Sequence, residues 1–229
     1  MSLECKKVFI KNKDRVLVDI CFKIEKSLAL VGESGSGKSL TLKALLGLIP
    51  SSLHYEVDCS APFELKRGES VSFVPQNPFT ALSPLTKIKD QFFHNEAGEF
   101  LKMVKLDSEI LKRFPPELSG GQLQRAVIAM AISTDPKLIL LDEPTTALDL
   151  KTTKSILKLL KNLQNELNFS MLFVTHDIDS AKELCEDIVV LKNGKVVEEG
   201  KMQEVLKKPK NPYTKALIEA GFSNKEFRK

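Results

Sequence analysis

The chain has 229 residues, 34 lysines and arginines against 30 aspartates and glutamates for a net charge of +4, and 42% apolar residues. That is an ordinary globular composition, long enough for one sizeable core, with positive charge too slight and dispersed to argue for nucleic acid. The longest unbroken apolar run, 126–132, is far short of the roughly 18 residues that span a bilayer, and 1–13 carries charges where a secretion signal needs its apolar core.

Residues 3–24 are extended in character, rich in Val, Ile and Phe, with a polar turn at 12–15, and predict an antiparallel pair. Phe9 is the only aromatic there that can stack on an adenine, although a strand Phe is more often core. An apolar run at 28–31 predicts a buried strand, and 40–46 supplies helix formers. Between them Gly32, Glu33, Ser34, Gly35, Ser36, Gly37, Lys38 and Ser39 fill the pattern of glycine, four residues, then glycine, lysine and serine, with Leu40 next as the helix begins. The glycines let successive N–H groups turn inward while the new helix aims its positive end at the same place, a cradle for phosphates. Lys38 is expected to reach the β and γ phosphates, and the Ser39 hydroxyl to ligate Mg²⁺.

The helix is expected to stop near 47–50 at Gly and Pro, and 51–70 is polar and irregular. A strand at 71–74 runs into Gln76, and prolines at 78, 84, 115 and 116 bracket a mostly helical 88–113, a small helical subdomain inserted into the nucleotide-binding core. Ser119, Gly120, Gly121 and Gln122, within LSGGQ, precede a helix at 123–134, so that two adjacent glycines just before a helix offer a second set of exposed N–H groups.

The apolar run 138–141 predicts a strand buried on both faces. It delivers Asp142 and Glu143 to its carboxyl end, where open α/β sheets place their ligands. Asp142 fits the Mg²⁺-holding carboxylate, and Glu143 the group that orients or deprotonates the attacking water. Helical spacing of leucines predicts a helix at 152–168 with one face packed on a sheet. The strand at 171–174 presents His176 at its end, a phosphate-facing position by the same logic. Asn193 and Gly194 form a strong hairpin signal between apolar runs. The four cysteines, Cys5, Cys21, Cys59 and Cys185, have no metal-ligand spacing and are expected to be free thiols in a reducing cytoplasm.

Taken together, GESGSGKS, Gln76, LSGGQ, LILLDE at 138–143, ALD at 147–149 and His176 make the chain resemble the ATP-binding subunits of ABC transporters over nearly its whole length. The resemblance implies an α/β fold: a phosphate-loop ATPase core with a mainly parallel sheet, an N-terminal antiparallel β subdomain and the inserted helical subdomain at about 77–117. It also implies one ATPase domain over 1–229 with a C-terminal tail at about 201–229. ATP and Mg²⁺ are the ligands implied. Two subunits, identical or paralogous, would hold ATP head to tail, with Lys38, His176 and Gln76 on one side of the γ phosphate and Ser119, Gly120 and Gly121 from the other. Asp149 would touch the partner's phosphate loop, and Gln76 would join Ser39 and Asp142 near the metal.

The segments 76–91 and 210–220 resemble those of the peptide and nickel importer group. By that likeness the chain powers import of peptides or nickel and other metal chelates, seated on the cytoplasmic face of the membrane through permease subunits and served indirectly by a solute-binding protein. An exporter, or a soluble ABC-type ATPase, is the alternative. The cysteine-bearing extension of some peptide members is absent, so no iron–sulfur cluster is expected.

Overall fold

The computed structural model describes residues 2–93, 97–146 and 148–226. Residues 94–96 of the expected helical subdomain, Ala147 of the ALD segment and 227–229 of the expected tail lie outside them. In chain order the elements are β1 (Leu3–Asn12), β2 (Arg15–Ile24), β3 (Ser27–Val31), α1 (Lys38–Leu45), β4 (His54–Ser60), β5 (Val71–Val74), α2 (Pro78–Ala81) and α3 (Ala97–Met103). There follow α4 (Gly120–Ile132), β6 (Leu138–Asp142), α5 (Leu150–Leu167), β7 (Ser170–Thr175), α6 (Ile178–Leu184), β8 (Asp187–Lys192), β9 (Lys195–Lys201), α7 (Met202–Lys207) and α8 (Pro212–Glu226). They form two compact units, Met1–Pro62 with Ser170–Lys229, and Phe63–Phe169.

In the first unit β3 lies between β7 and β8 in parallel register, and β9 adds antiparallel to β8 through the Asn193–Gly194 turn. All five residues of β3 and all six of β7 are buried, as strands covered on both faces must be. A separate antiparallel sheet runs β2, β1, β4. In the second unit β5 and β6 pair in parallel, with Val74 beside Leu141. Helix α5 buries Ile156, Leu157, Leu159, Leu160 and Leu163 on one face, the stripe its leucine spacing dictates. Among the described residues no helix is long and apolar enough to cross a membrane.

Three expectations need correction. Residues 54–60 are strand β4, paired to β1 with Val8 opposite Val57 and Ile10 opposite Tyr55. Tyr55, Val57 and Cys59 alternate with His54, Glu56 and Asp58, a period of two whose polar half belongs to an exposed sheet edge. Cys5 and Cys59 face each other across that ladder and form a disulfide, so they are not free thiols; Cys21 and Cys185 are outside that bond. The pairing depends on strand register, which a separation of 54 residues does not reveal. Finally, 88–113 is less helical than its composition suggests. Short 3₁₀ turns at Ile88–Gln91 and Ser108–Lys112 flank α3, and Lys105 adopts φ +58°, which ends the helical path.

Candidate functional site

The phosphate loop grows out of buried β3, so its first residue is fixed by the sheet. At Gly32 a Cβ would lie 2.3 Å from the Leu191 carbonyl oxygen on β8, a backbone atom that cannot swing aside; only glycine fits. Gly37, at φ +107°, is the N-cap of α1, and a Cβ there would lie 2.7 Å from Val18 Cγ2. Glu33, Ser34 and Gly35 form the exposed lip of the loop, Ser36, Gly37 and Lys38 its buried floor, with Ser39 exposed and Leu40 half-buried beyond.

Backbone and side-chain bonds hold the loop in shape. Lys38 Nζ donates to the Gly32 and Glu33 carbonyls at 2.8 and 2.9 Å. Gly194 N donates to the Ser36 carbonyl at 3.0 Å, so the β8–β9 turn braces the loop from below. The Ser36 hydroxyl is buried with no hydrogen-bond partner among the described residues. A buried ammonium, an unpaired buried hydroxyl and the amino end of α1 together suit a polyanion.

His176 follows Thr175, which pairs with Val31, so the exposed imidazole belongs to the strand end beside Gly32. Its backbone path is set by the next turn: Asp177 N donates to Thr175 Oγ1 at 2.9 Å, and the Asp177 carboxylate caps α6 by accepting from Asp179 N and Ser180 Oγ.

In the second unit Gln76, Asp142 and Glu143 occupy the carboxyl ends of the neighbouring strands β5 and β6. Asp142 is only 9% exposed, a burial that a carboxylate sustains only with partners or a cation. Glu143 has φ +44°, an uncommon conformation for a non-glycine residue, and its Oε2 accepts from Thr146 Oγ1 at 2.8 Å. Strain of that kind, on a carboxylate whose side chain is also held, marks functional turns. Beside the exposed Gln76 a pocket of about 40 Å³ is lined by Phe79, Gly120 and the buried Gln124, whose Nε2 has no partner among the described residues; it has room for about one water.

The LSGGQ segment departs from the sequence expectation in one respect. Its glycines do not precede the helix; they are the first two residues of α4, with Ser119 as N-cap. Ser119 Oγ accepts from Gln122 N, and Gln122 Oε1 accepts from Ser119 N at 3.0 Å, a capping box. Arg125 ties α4 down by donating to the Val104 carbonyl at 2.7 Å and to Ser155 Oγ at 2.8 Å. Asp149 caps α5 in the same manner, accepting from Lys151 N, Thr152 N and Thr152 Oγ1. The Thr152 hydroxyl, then the backbone amides, hold its carboxyl below the usual carboxylate range.

Sequence reasoning missed Tyr213 as a neighbour of the phosphate loop: Glu33 N donates to its phenol oxygen at 3.1 Å across 180 residues. A cavity of about 690 Å³ belongs elsewhere, at the amino end of β3, where Leu28, Cys21 and Phe22 meet the Lys201–Asp187 ion pair.

The model of one family, described as ABC transporter, matches residues 17–146. The oligopeptide transport ATP-binding protein AppD of Bacillus subtilis is 37% identical over 93% of this chain and 75% of its own length. The oligopeptide transport ATP-binding protein OppD of the same organism is 37% identical over 84% of this chain and 62% of its own length. The ATP-binding cassette MJ0796, solved as a dimer in a post-hydrolysis state with ADP and Pi, matches with a TM-score of 0.71 at 30% identity, over 87% of this chain and 98% of that one.

Proposed function

The chain belongs to the ABC transporter family and is an ATP-hydrolysing, Mg²⁺-using cassette, and on that footing we propose that it is the ATP-binding subunit of an importer whose cargo is peptides. The observation that carries the catalytic part is the phosphate loop at the end of buried β3, with Lys38 held at its floor. What favours peptide cargo over the nickel or metal-chelate alternative is the transport role named for AppD and OppD.

The residue roles follow from chemistry. Glu33 to Leu40, opened by Gly32, hold the phosphates, with Lys38 supplying the buried positive charge. Ser39, Gln76 and Asp142 are the residues that would hold Mg²⁺, and the buried Asp142 carboxylate fits a cation well. Mg²⁺, when bound, neutralises charge on the triphosphate. Glu143 orients the attacking water and accepts its proton, a role its fixed carboxylate supports. His176 contacts the γ phosphate. Ser119, Gly120, Gly121 and Gln122 serve the nucleotide of a second subunit, identical or paralogous, packed head to tail, and Asp149 touches that partner's phosphate loop.

The chain reads as one ATPase domain with a helical subdomain at about 77–117 and a tail at about 201–229. Phe79, Leu85 and Phe93 in the former expose 51, 87 and 78% of their surface, apolar area of the kind that docks a partner. That partner is a membrane-spanning permease subunit, which seats the chain on the cytoplasmic face of the membrane; a solute-binding protein acts at one remove.

The test is a pair of variants in the native complex. Glu143→Gln should bind ATP, stay dimeric and lose hydrolysis; a variant turning over at the normal rate would remove Glu143 from its role. Lys38→Ala should weaken ATP binding, and unchanged affinity would overturn the nucleotide assignment. Copurification from native membrane without permease subunits would refute the importer reading.

A further inference from the structure

The bond between Glu33 N and the Tyr213 phenol is a contact of the nucleotide loop that no motif predicts. Amides in such a loop are usually turned inward to face phosphate; this one is turned to a side chain from the carboxyl-terminal region. The N–H in question belongs to the Gly32–Glu33 peptide unit. The carbonyl at the other end of that unit, Gly32 O, accepts from Lys38 Nζ at 2.8 Å. A peptide unit is planar, with N–H and C=O on opposite edges. Tyr213 therefore holds one edge of a plate whose other edge holds the buried lysine.

Tyr213 is itself firmly placed. Its own N–H donates to Asn211 Oδ1 at 2.9 Å, and Asn211 Nδ2 donates to the Val197 carbonyl on β9 at 3.3 Å. Both carboxylate oxygens of Glu198, also on β9, are occupied by the N–H groups of Lys210 and Asn211 at 2.8 and 3.0 Å. Lys192, the last residue of β8, sets its ammonium 4.6 Å from the centre of the Tyr213 ring, within cation–π range. Burial raises the phenol's pKa, so it stays neutral and keeps its proton. Lys192 belongs to β8, which flanks β3, and Val197 and Glu198 to β9, which pairs with β8; the turn between these two strands is the one that braces the loop.

We infer that Tyr213 is a positioning residue for nucleotide binding: by fixing the Gly32–Glu33 peptide plane it sets where Lys38 is presented to the triphosphate. This rests on the ATPase reading. It gives the segment 210–220 a role at the nucleotide loop in addition to that of a family marker.

Tyr213→Phe tests it, because the ring stays against Lys192 and only the phenol oxygen goes. The full-length chain is titrated with a fluorescent N-methylanthraniloyl ATP and assayed for turnover. Losing one hydrogen bond of this class should weaken binding about three- to tenfold. KM should carry most of the change and kcat the smaller share, the thermal midpoint should hold, and exchange of the Glu33 amide proton should quicken. In a Lys38→Ala background the second substitution should add almost nothing, since Tyr213 acts through Lys38. Wild-type affinity in Tyr213→Phe, additive losses in the double variant, or an affinity loss matched by a fallen midpoint would each overturn the inference. Failure of the unaltered chain to bind the nucleotide would instead overturn the ATPase reading.

Discussion

Gly68 and Gly194 share the same backbone angle, φ +75°, but not the same surroundings. A Cβ on Gly68 would meet nothing within 4 Å, whereas one on Gly194 would lie 2.0 Å from the Leu17 carbonyl oxygen, 2.7 Å from its carbon and 3.1 Å from Val18 Cα. Alanine at either position bears the left-handed penalty of about 1–2 kcal/mol. Against that stands a gain of about 0.4–1 kcal/mol from a stiffer unfolded chain. Gly68→Ala should therefore cost about 0–1.6 kcal/mol. Gly194→Ala must add an overpacking term of about 1–3 kcal/mol, because every atom in the way is backbone and no rotamer relieves the clash. The turn is moreover pinned from both sides, Asp19 N donating to Gly194 O at 2.8 Å and Gly194 N to Ser36 O at 3.0 Å. A total near 3 kcal/mol corresponds to a thermal midpoint lowered by about 2–4 °C per kcal/mol for a chain of this size. Urea denaturation of the two variants side by side reads the difference, and nucleotide titration reads its consequence, since the Ser36 brace moves with the turn. Equal costs for the two substitutions would refute the steric argument; unchanged ATP affinity in Gly194→Ala would refute the brace.

Two further outcomes follow from the side chains. The Cys5–Cys59 disulfide closes a loop of 54 residues in sequence, so reduction with dithiothreitol should lower stability by about 2–4 kcal/mol; a urea midpoint indifferent to reductant would contradict it. Asp149 has its carboxyl held below the ordinary 3.8, so it contributes stability that is fully present above that value and lost as pH falls through the depressed one. Asparagine also caps helices, so the advantage of the unaltered chain over Asp149→Asn should shrink on acidification. Unfolding measured from pH 6 to about pH 3 with a constant difference between the two would count against the cap's ionic character.

What was legible in the sequence was what is local. The phosphate loop, the buried runs of β3, β6 and β7, and the Asn193–Gly194 hairpin each declare themselves within a few residues, because burial on both faces or a left-handed turn dictates the residue types directly. Strand β4 was hidden by its own polarity: as a sheet edge it carries His54, Glu56 and Asp58 outward, and its alternation was the only signal. The LSGGQ helix start was also legible in principle, since Ser119 followed three residues later by Gln122 is a capping-box spacing. The Cys5–Cys59 pair and the Tyr213–Glu33 bond were not, because both depend on strand register and chain return over 54 and 180 residues.

The capping box raises a question about LSGGQ, since Ser119 and Gln122 now have a purely structural reason to be there. The glycines separate the two explanations. A Cβ on Gly121 would lie 2.8 Å from Thr152 Cγ2, and Thr152 is not free to turn because its hydroxyl donates to Asp149 at 2.6 Å; the approach of α5 requires glycine there. Gly120 has no such requirement. Its φ is not positive among the described residues, and a Cβ would meet only Leu148 Cδ2 at 3.7 Å, an ordinary contact. Within the fold alanine would be the better residue by about 0.4–1 kcal/mol. A glycine that the chain's own packing does not need leaves the backbone open to something outside the chain, as the proposed second nucleotide site requires. Gly120→Ala should thus leave the chain as stable or more so, while lowering ATPase activity on the order of ten- to a hundredfold through displacement of a phosphate by about 1 Å. Melting curves and steady-state hydrolysis on one preparation decide it. A variant that is more stable and fully active would leave the LSGGQ segment explained by helix capping alone.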